Sequence, residues 1–177
     1  MPTRVSAPTL VRGAVAGVVA YLVGYAFAYL SAAADVQRVA RAYQPLADAG
    51  GRFVPAWKAA GWAFTDAHFV VTVYPGGAVD MVGFAGVEYL YLVPPLLLLA
   101  AGGLVAFASP ISDRRDALVA GATVTAGYLP FAVAFALLAR YANVHPSLLR
   151  ALVVAGVVYP VAFGGLGGLA AAVVRED

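Results

Sequence analysis

The sequence predicts an all-α membrane protein, a bundle of four transmembrane helices with a small, aromatic-rich cap outside the membrane. Of its 177 residues, 63% are hydrophobic and only 11% are charged, whereas soluble domains are about half apolar and a quarter charged. Four apolar segments also reach the roughly 20 residues that a helix needs to cross a bilayer. They cover about residues 10–30, 89–108, 117–139 and 148–174. We therefore expect residues 1–177 to form a single membrane domain.

The first segment has a second interpretation as a secretory signal. Arg4 and Arg12 precede or begin the apolar run, and the small residues Ala32, Ala33 and Ala34 follow it. The apolar core of a signal peptide is usually only about 7–15 residues long, which favours a membrane span. Cleavage would leave three spans.

The predicted cap covers residues 32–82 and begins with an amphipathic helix at residues 35–47, lying along the membrane surface. Its apolar residues recur at helical spacing: Val36, Val39, Ala40, Tyr43 and Leu46. Trp57 and Trp62 are typical of side chains that anchor at the headgroup level. The β-rich residues 68–74, followed by Pro75-Gly76-Gly77, predict a hairpin with residues 79–84.

Two stretches resemble a known family. The sequences PAWKAAGWAF at residues 55–64 and AHFV at residues 67–70 lie in the cap, and LVPPLLLL at residues 92–99 lies in the second span. They are similar to segments of a haloarchaeal family of small four-span membrane proteins, some of whose members are labelled transporters. The resemblance implies the fold and a haloarchaeal membrane, but it implies no catalytic or binding residues.

An ion path is the first candidate site. Glu88 is the acidic residue closest to a span, and ionisable groups inside a membrane are costly and usually functional. Three spans carry a proline close behind a tyrosine, and an internal proline frees a backbone carbonyl. The predicted path consists of Glu88, Tyr91, Pro94, Pro130 and Pro160. A position of Glu88 at the membrane rim is the competing interpretation.

A metal site is the second candidate. Because two spans separate the long loop from His145, the residues Asp66, His68, Asp80, Glu88 and His145 are expected on one side of the membrane. Carboxylate and imidazole groups are common metal ligands. Asp66, His68 and His145 are the predicted ligands, although the pattern is not specific. We predict no cofactor, and the chain has no cysteine.

Small residues predict close helix packing. Gly13, Gly17 and Gly24 lie along one side of the first span, and Gly164 and Gly168 repeat the spacing in the fourth. Such patterns let two helices approach closely, either within one chain or between chains.

The predicted function is therefore that of a non-enzymatic, multi-pass component of the cell membrane with both termini in the cytoplasm. It would assemble with itself or with a membrane protein partner through the cap. A small transporter or channel is the second hypothesis, and an interfacial enzyme or metal-binding protein using His68 is the third. The lipid bilayer is its expected environment, and the small, scattered net charge of +2 argues against nucleic acid as a partner.

Overall fold

The computed structural model describes residues 6–43, 50, 52–111 and 113–176. The chain is mostly helical and carries one small antiparallel sheet. In chain order the elements are α1 (Ala7–Ala42), α2 (Ala56–Asp66), β1 (Thr72–Tyr74), β2 (Gly77–Val79), α3 (Met81–Ala85), a 3₁₀ turn (Glu88–Leu92), α4 (Val93–Phe107), α5 (Arg114–Ala122), α6 (Thr125–Leu138), β3 (His145–Pro146), α7 (Leu148–Arg150), two π-helical stretches (Ala151–Val158 and Pro160–Gly164) and α8 (Gly165–Glu176).

Four continuous helical segments are long and apolar enough to cross a membrane, which supports the predicted four spans. They are Ala7–Ala42, Glu88–Phe107, Arg114–Leu138 and Leu148–Arg175. The third joins α5 to α6, and the fourth runs from α7 through the π-helical stretches into α8.

The spans bury small residues and expose large apolar ones. Along α1, the buried face consists largely of glycine and alanine, including Gly13, Gly17 and Ala20, whereas Val11 and Leu30 are among the exposed large side chains. A soluble bundle buries its largest apolar side chains because burial is the main source of its stability. A surface of exposed leucine and valine around a small-residue interior instead fits a bundle surrounded by lipid.

The predicted packing glycines lie at contacts between helices of one chain. A Cβ atom built on Gly17 would lie 2.0 Å from the carbonyl oxygen of Val124, and one on Gly168 would lie 2.2 Å from that of Ala117. Gly13 faces the side chain of Thr123, and Gly164 faces Val124. Gly24 faces both α2 and the second span, because the atoms nearest to its built Cβ belong to the ring of Phe64 and to the side chain of Leu97.

The separate amphipathic helix predicted for residues 35–47 is wrong where the structure describes it. Helix α1 continues without a break through Ala32 to Ala42, and residues 44–47 lie outside the described part of the chain. The apolar stripe that suggested a surface helix is instead buried, as Ala32, Val36 and Ala40 are. A stripe of this kind shows only that a helix has one buried side, and here that side packs against the cap.

The predicted hairpin exists, but its second arm is shorter than expected. Strands β1 and β2 pair antiparallel with Thr72 opposite Val79, and β3, from the connection between the third and fourth spans, pairs with the other edge of β1. The residues after Val79 form α3 because Asp80 accepts hydrogen bonds from the backbone N–H groups of Val82 and Gly83. A side chain in this position caps a helix and ends the strand.

Helix α2 differs most from the prediction that the cap lies outside the bundle, because most of the helix is buried. Every residue from Ala59 to Asp66 is buried, and Phe64 packs beside Gly24 of α1 while Gly61 packs beside Phe135 of α6. A helix that is buried all round lies in a protein core. The inner part of the cap is therefore inserted among the spans.

Candidate functional site

The inner end of α2 brings two ionisable side chains into the protein interior. Asp66 is the last residue of the helix, and His68 lies in the turn that follows it; they are only 2% and 1% exposed. His68 contacts Tyr128 of the third span. Tyr128 lies about 15 Å along the helix axis from Leu138, the cap-side end of that span, at 1.5 Å per residue. His68 therefore lies well below the outer end of the bundle, whereas Asp66 contacts Thr72 and Met81 of the cap.

The hydrogen bonds of His68 define its tautomer. Nδ1 lies 2.8 Å from the backbone oxygen of Phe64, and a carbonyl can only accept, so Nδ1 carries the hydrogen. Nε2 lies 2.6 Å from the hydroxyl of Tyr128 and, in a neutral ring, accepts from that hydroxyl. Burial lowers the pKa of His68 to about 4, although its backbone contacts with Phe64 and Thr65 act in the opposite direction. The imidazole is therefore neutral at pH 7.

Aromatic rings enclose this histidine. The ring of His68 lies 5.0 Å from that of Phe64 and 5.1 Å from that of Tyr159. Tyr21 packs edge-on against Phe64 and Tyr128, and its buried hydroxyl has no hydrogen-bond partner within the described chain. The surroundings of His68 are thus apolar apart from backbone groups and the hydroxyls of Tyr128 and Tyr159.

Asp66 is buried, and its hydrogen-bond donors among the described residues are uncharged. Its Oδ1 accepts from the hydroxyl of Thr72 at 3.1 Å, and its Oδ2 accepts from the backbone N–H of Met81 at 2.7 Å. Burial raises the pKa of this carboxyl well above its usual value, and the nearby Asp80 raises it further, while the two hydrogen bonds lower it. The charged group that acts on Asp66 is therefore a second carboxylate.

Two tyrosines complete the surroundings of this carboxyl pair. The hydroxyl of Tyr91 donates to Oδ2 of Asp80. Tyr74 is only 4% exposed, and its hydroxyl has no hydrogen-bond partner among the described residues. Burial raises the pKa of Tyr74, and the charge of Asp66 raises it further. Tyr74 follows Thr72 by two residues on β1, so both side chains lie on one face of the strand. We call Asp66, Thr72, Tyr74, Asp80 and Tyr91 the acidic site.

The predicted ion path is only partly brought together. Glu88 is exposed, whereas Tyr91 lies in the acidic site. Pro94 and the following Pro95 are in the first turn of α4, where proline removes no helical hydrogen bond, so the predicted break there is wrong. Pro130 lies inside α6 and is exposed. Pro160 is buried at the start of the second π-helical stretch.

The predicted metal ligands do not form a cluster. Within the described ranges, no three His, Cys, Asp or Glu residues could hold one metal ion. Both ring nitrogens of His68 and both oxygens of Asp66 are engaged by protein groups. His145 lies in β3 opposite Val73, and its Nδ1 is 3.1 Å from the backbone oxygen of Pro146.

The two predicted interfacial tryptophans have different environments. Trp57 is 40% exposed, and the ammonium group of Lys58 lies 5.1 Å from its ring. Trp62 is only 1% exposed, and its indole N–H donates to the backbone oxygen of Ala139 at 2.9 Å. Trp62 is therefore a core residue that ties α2 to the third span, so its prediction as a headgroup anchor is wrong.

Comparison with known families shows to which family the chain belongs. A family model described as a family of unknown function, DUF7978, matches residues 2–175. The chain belongs to the DUF7978 family. No curated protein and no solved structure matches this DUF7978 protein. The match agrees with the predicted membership of a family without an assigned activity, and the four apolar helices fit a membrane protein.

Sequence reasoning missed some of the residues that form these contacts. In the sequence, Tyr128 is one of the three tyrosines that lie just before a proline, and nothing connects it to His68, which is 60 residues away. Thr72 and Tyr74 have the alternation of an ordinary strand. Their positions beside Asp66 follow from the turn after α2, which no local pattern predicts.

Proposed function

We propose that this DUF7978 protein binds a small monovalent cation, a proton or a sodium ion, at the acidic site and moves it as part of a transport function in the membrane. The observation that carries this proposal is the burial of Asp66 with neutral donors and a neighbouring carboxylate. An isolated buried carboxylate is energetically very costly, so it takes up a proton or pairs with a cation.

The donor set supports a small, hard cation. The acidic site offers carboxylate oxygens from Asp66 and Asp80 and hydroxyl oxygens from Thr72, Tyr74 and Tyr91. Alkali cations favour oxygen donors over nitrogen or sulfur donors, as hard metal ions do generally, and a buried carboxylate can instead take up a proton. The hydroxyl of Tyr74, which has no hydrogen-bond partner among the described residues, is a further oxygen that could coordinate a cation.

The position of the site also supports transport. Ionisable side chains inside membrane bundles commonly mark ion or proton pathways. Helices that enter a bundle without crossing it are tolerated where they are buried in protein or line a cavity, and α2 fits this description. The ion path predicted from the sequence is accordingly relocated from Glu88 to the end of α2, with Tyr91 retained. We further propose that both termini face the cytoplasm.

Chemical modification tests occupancy of the site. Dicyclohexylcarbodiimide adds to a protonated carboxyl group and rearranges to a stable acylurea without a leaving group. We expect modification of Asp66, detected by mass spectrometry of its peptide, to decline as pH rises. Protection by NaCl but not by choline chloride at constant pH would identify sodium as a ligand, and a dependence on pH alone would identify the proton.

Flux measurements test the function itself. Proteoliposomes are expected to release a proton or sodium gradient with the wild-type protein and to lose this activity with Asp66→Asn. The matched control is Asp35→Asn, since Asp35 pairs with Arg38 on the exposed surface of α1 at 2.9 Å. Equal flux from wild type, Asp66→Asn and empty liposomes would refute the proposal.

Assembly through the cap is the second candidate function. Its support is the exposure of large aromatic side chains there: Phe53 is 65% exposed and Phe84 is 62% exposed. Such residues are enriched in contacts between proteins. Under this alternative the protein is non-enzymatic and associates with itself or with a membrane protein. Native mass spectrometry after gentle extraction would test it, and a monomer at all concentrations without a bound protein would refute it.

A further inference from the structure

We propose that Phe69 is the outer gate of the acidic site, an inference that rests on the proposed cation binding. The ring of Phe69 stacks on the ring of Tyr91, with centroids 5.2 Å apart and planes 12° apart. The hydroxyl of Tyr91 in turn donates to Asp80. A cation that reaches the carboxyl pair from this side must pass the stacked rings.

Burial increases step by step along this route. Phe69 is 62% exposed, Tyr91 and Asp80 are partly buried, and Asp66 is 2% exposed. The four side chains thus connect the protein surface to its buried carboxyl. The backbone N–H of Phe69 also donates to the backbone oxygen of Asp66 at 2.7 Å, which keeps the two residues close together.

The backbone of Phe69 is held in an unfavourable conformation. Its φ angle is +59°, in the left-handed region that bulky side chains rarely adopt. Strained residues of this kind persist only where the surrounding structure compensates for them, and they are concentrated at functional sites and switch regions. Here two backbone hydrogen bonds hold the turn after α2, from Phe69 N–H to the oxygen of Asp66 and from Val70 N–H to that of Thr65, the pattern of a helix C-terminal cap. The stack on Tyr91 holds the ring, and loss of that stack would free the ring to swing away from the site.

The geometry offers a variant with little risk to folding. Glycine adopts a positive φ without the penalty of a side chain, so Phe69→Gly removes the gate while it relieves the backbone. Phe69→Tyr retains a ring that can stack. Phe84→Ala is the matched control, because Phe84 is equally exposed on the neighbouring α3 and packs on Tyr43 instead.

The experiment measures the rate at which dicyclohexylcarbodiimide modifies Asp66 in the full-length protein at one pH. We expect Phe69→Gly to react about fivefold faster than wild type, the factor that corresponds to a stack worth about 1 kcal/mol. Phe69→Tyr and Phe84→Ala are expected to react at the wild-type rate.

The possible failures are distinguishable. An unchanged rate in Phe69→Gly, or an equal increase in Phe84→Ala, overturns the gate even if ion flux still depends on Asp66. Absence of modification in Phe69→Gly also overturns it, because an uncovered carboxyl should react. The cation-binding function itself is judged separately by the flux of the Asp66→Asn variant.

Discussion

At the scale of single residues, Asp66 and His68 make stability depend on pH in opposite directions. The folded state depresses the pKa of His68 to about 4 and raises that of Asp66. For His68, the unfolded state binds more protons between about pH 6.5 and 4. For Asp66, the folded state binds more protons from the unfolded pKa of the carboxyl up to its raised value. Stability from His68 is thus lost as pH falls, and stability from Asp66 is lost as pH rises.

These opposing effects can be separated by substitution. In Asp66→Asn, the free energy of unfolding is expected to fall by up to about 3 kcal/mol between pH 7 and pH 4. This is the loss expected when the pKa of a histidine is about 6.5 in the unfolded state and about 4 in the folded state. In Asp66→Asn/His68→Gln, this decrease should disappear. The measurement is unfolding by sodium dodecyl sulfate in mixed micelles at a series of pH values. A decrease of the same size in both variants would contradict the assignment to His68.

The hydrogen bond between Tyr128 and His68 is expected to matter for folding. Tyr128→Phe removes the donor and leaves the buried Nε2 atom without a partner, which should cost about 1–3 kcal/mol. Tyr29→Phe is the control, since Tyr29 lies on the exposed side of α1 and is 40% exposed. Unfolding in mixed micelles at pH 7 compares them. Equal stability of Tyr128→Phe and wild type would show that the bond contributes nothing.

At the scale of helices, the bundle depends on close backbone contact rather than on large interlocking side chains. A Cβ atom on Gly127 would lie 1.8 Å from the carbonyl oxygen of Ala14. Cβ atoms built on Gly102 and Gly121 would lie 2.0 Å and 2.2 Å from the carbonyl oxygen of Gly164. Helices in lipid gain little from the hydrophobic effect, so contact area and dispersion hold them together. The glycines make that contact possible.

Gly127→Ala should therefore force α1 and α6 apart. We expect a loss of about 1–3 kcal/mol, the usual cost of inserting atoms into a packed interior. Gly77→Ala serves as the control, because no atom lies within 4 Å of its added Cβ. Both variants would be compared by unfolding in mixed micelles. A similar effect of the two substitutions would contradict the packing of α1 on α6.

The sequence predicts the spans well and the cap poorly, for physical reasons. Long apolar runs have one stable solution in lipid, a helix, so their approximate boundaries follow from composition. Burial of α2 depends on neighbours distant in the sequence, such as Ala139, which accepts from Trp62. The apolar spacing of Val36 and Ala40 correctly predicts that this side of the helix is covered. The spacing alone does not show whether lipid or protein covers it. The small-residue faces were visible, whereas the helices that they meet were not.

At the scale of the whole molecule, a four-span topology predicts that the two ends of the third span lie on opposite sides of a membrane. Because the native chain has no cysteine, single cysteines at Arg115 and Asn143 report on sidedness directly, and both positions are exposed. An impermeant maleimide applied to intact cells should label Asn143→Cys alone if the cap faces outward. Labelling of both or reversed labelling would refute the four-span topology or its orientation, respectively.

The cap is built from two connections, and this can be tested by cross-linking. Val73 of β1 and His145 of β3 are antiparallel partners, and such partners have Cα atoms about 4.5–5.5 Å apart, within the range of a disulfide. The double variant Val73→Cys/His145→Cys is expected to form an intramolecular disulfide that changes its migration on a non-reducing gel. The double variant Val73→Cys/Asn143→Cys is the control, because Asn143 is not the strand partner of Val73. Failure of the first pair to oxidise would contradict the three-stranded sheet.

The unbroken length of α1 has a mechanical consequence. The helix covers about 54 Å at 1.5 Å per residue, well beyond the roughly 30 Å hydrocarbon core, and its only proline lies in the first turn. Near one end Arg12 donates to the backbone oxygen of Ala108, and near the other Arg41 lies over the ring of Phe53. Without a hinge between these contacts, the helix acts as a stiff lever. In a membrane, a tilt of α1 imposed at one end would therefore move the cap at the other end, with no change in the conformation of the helix.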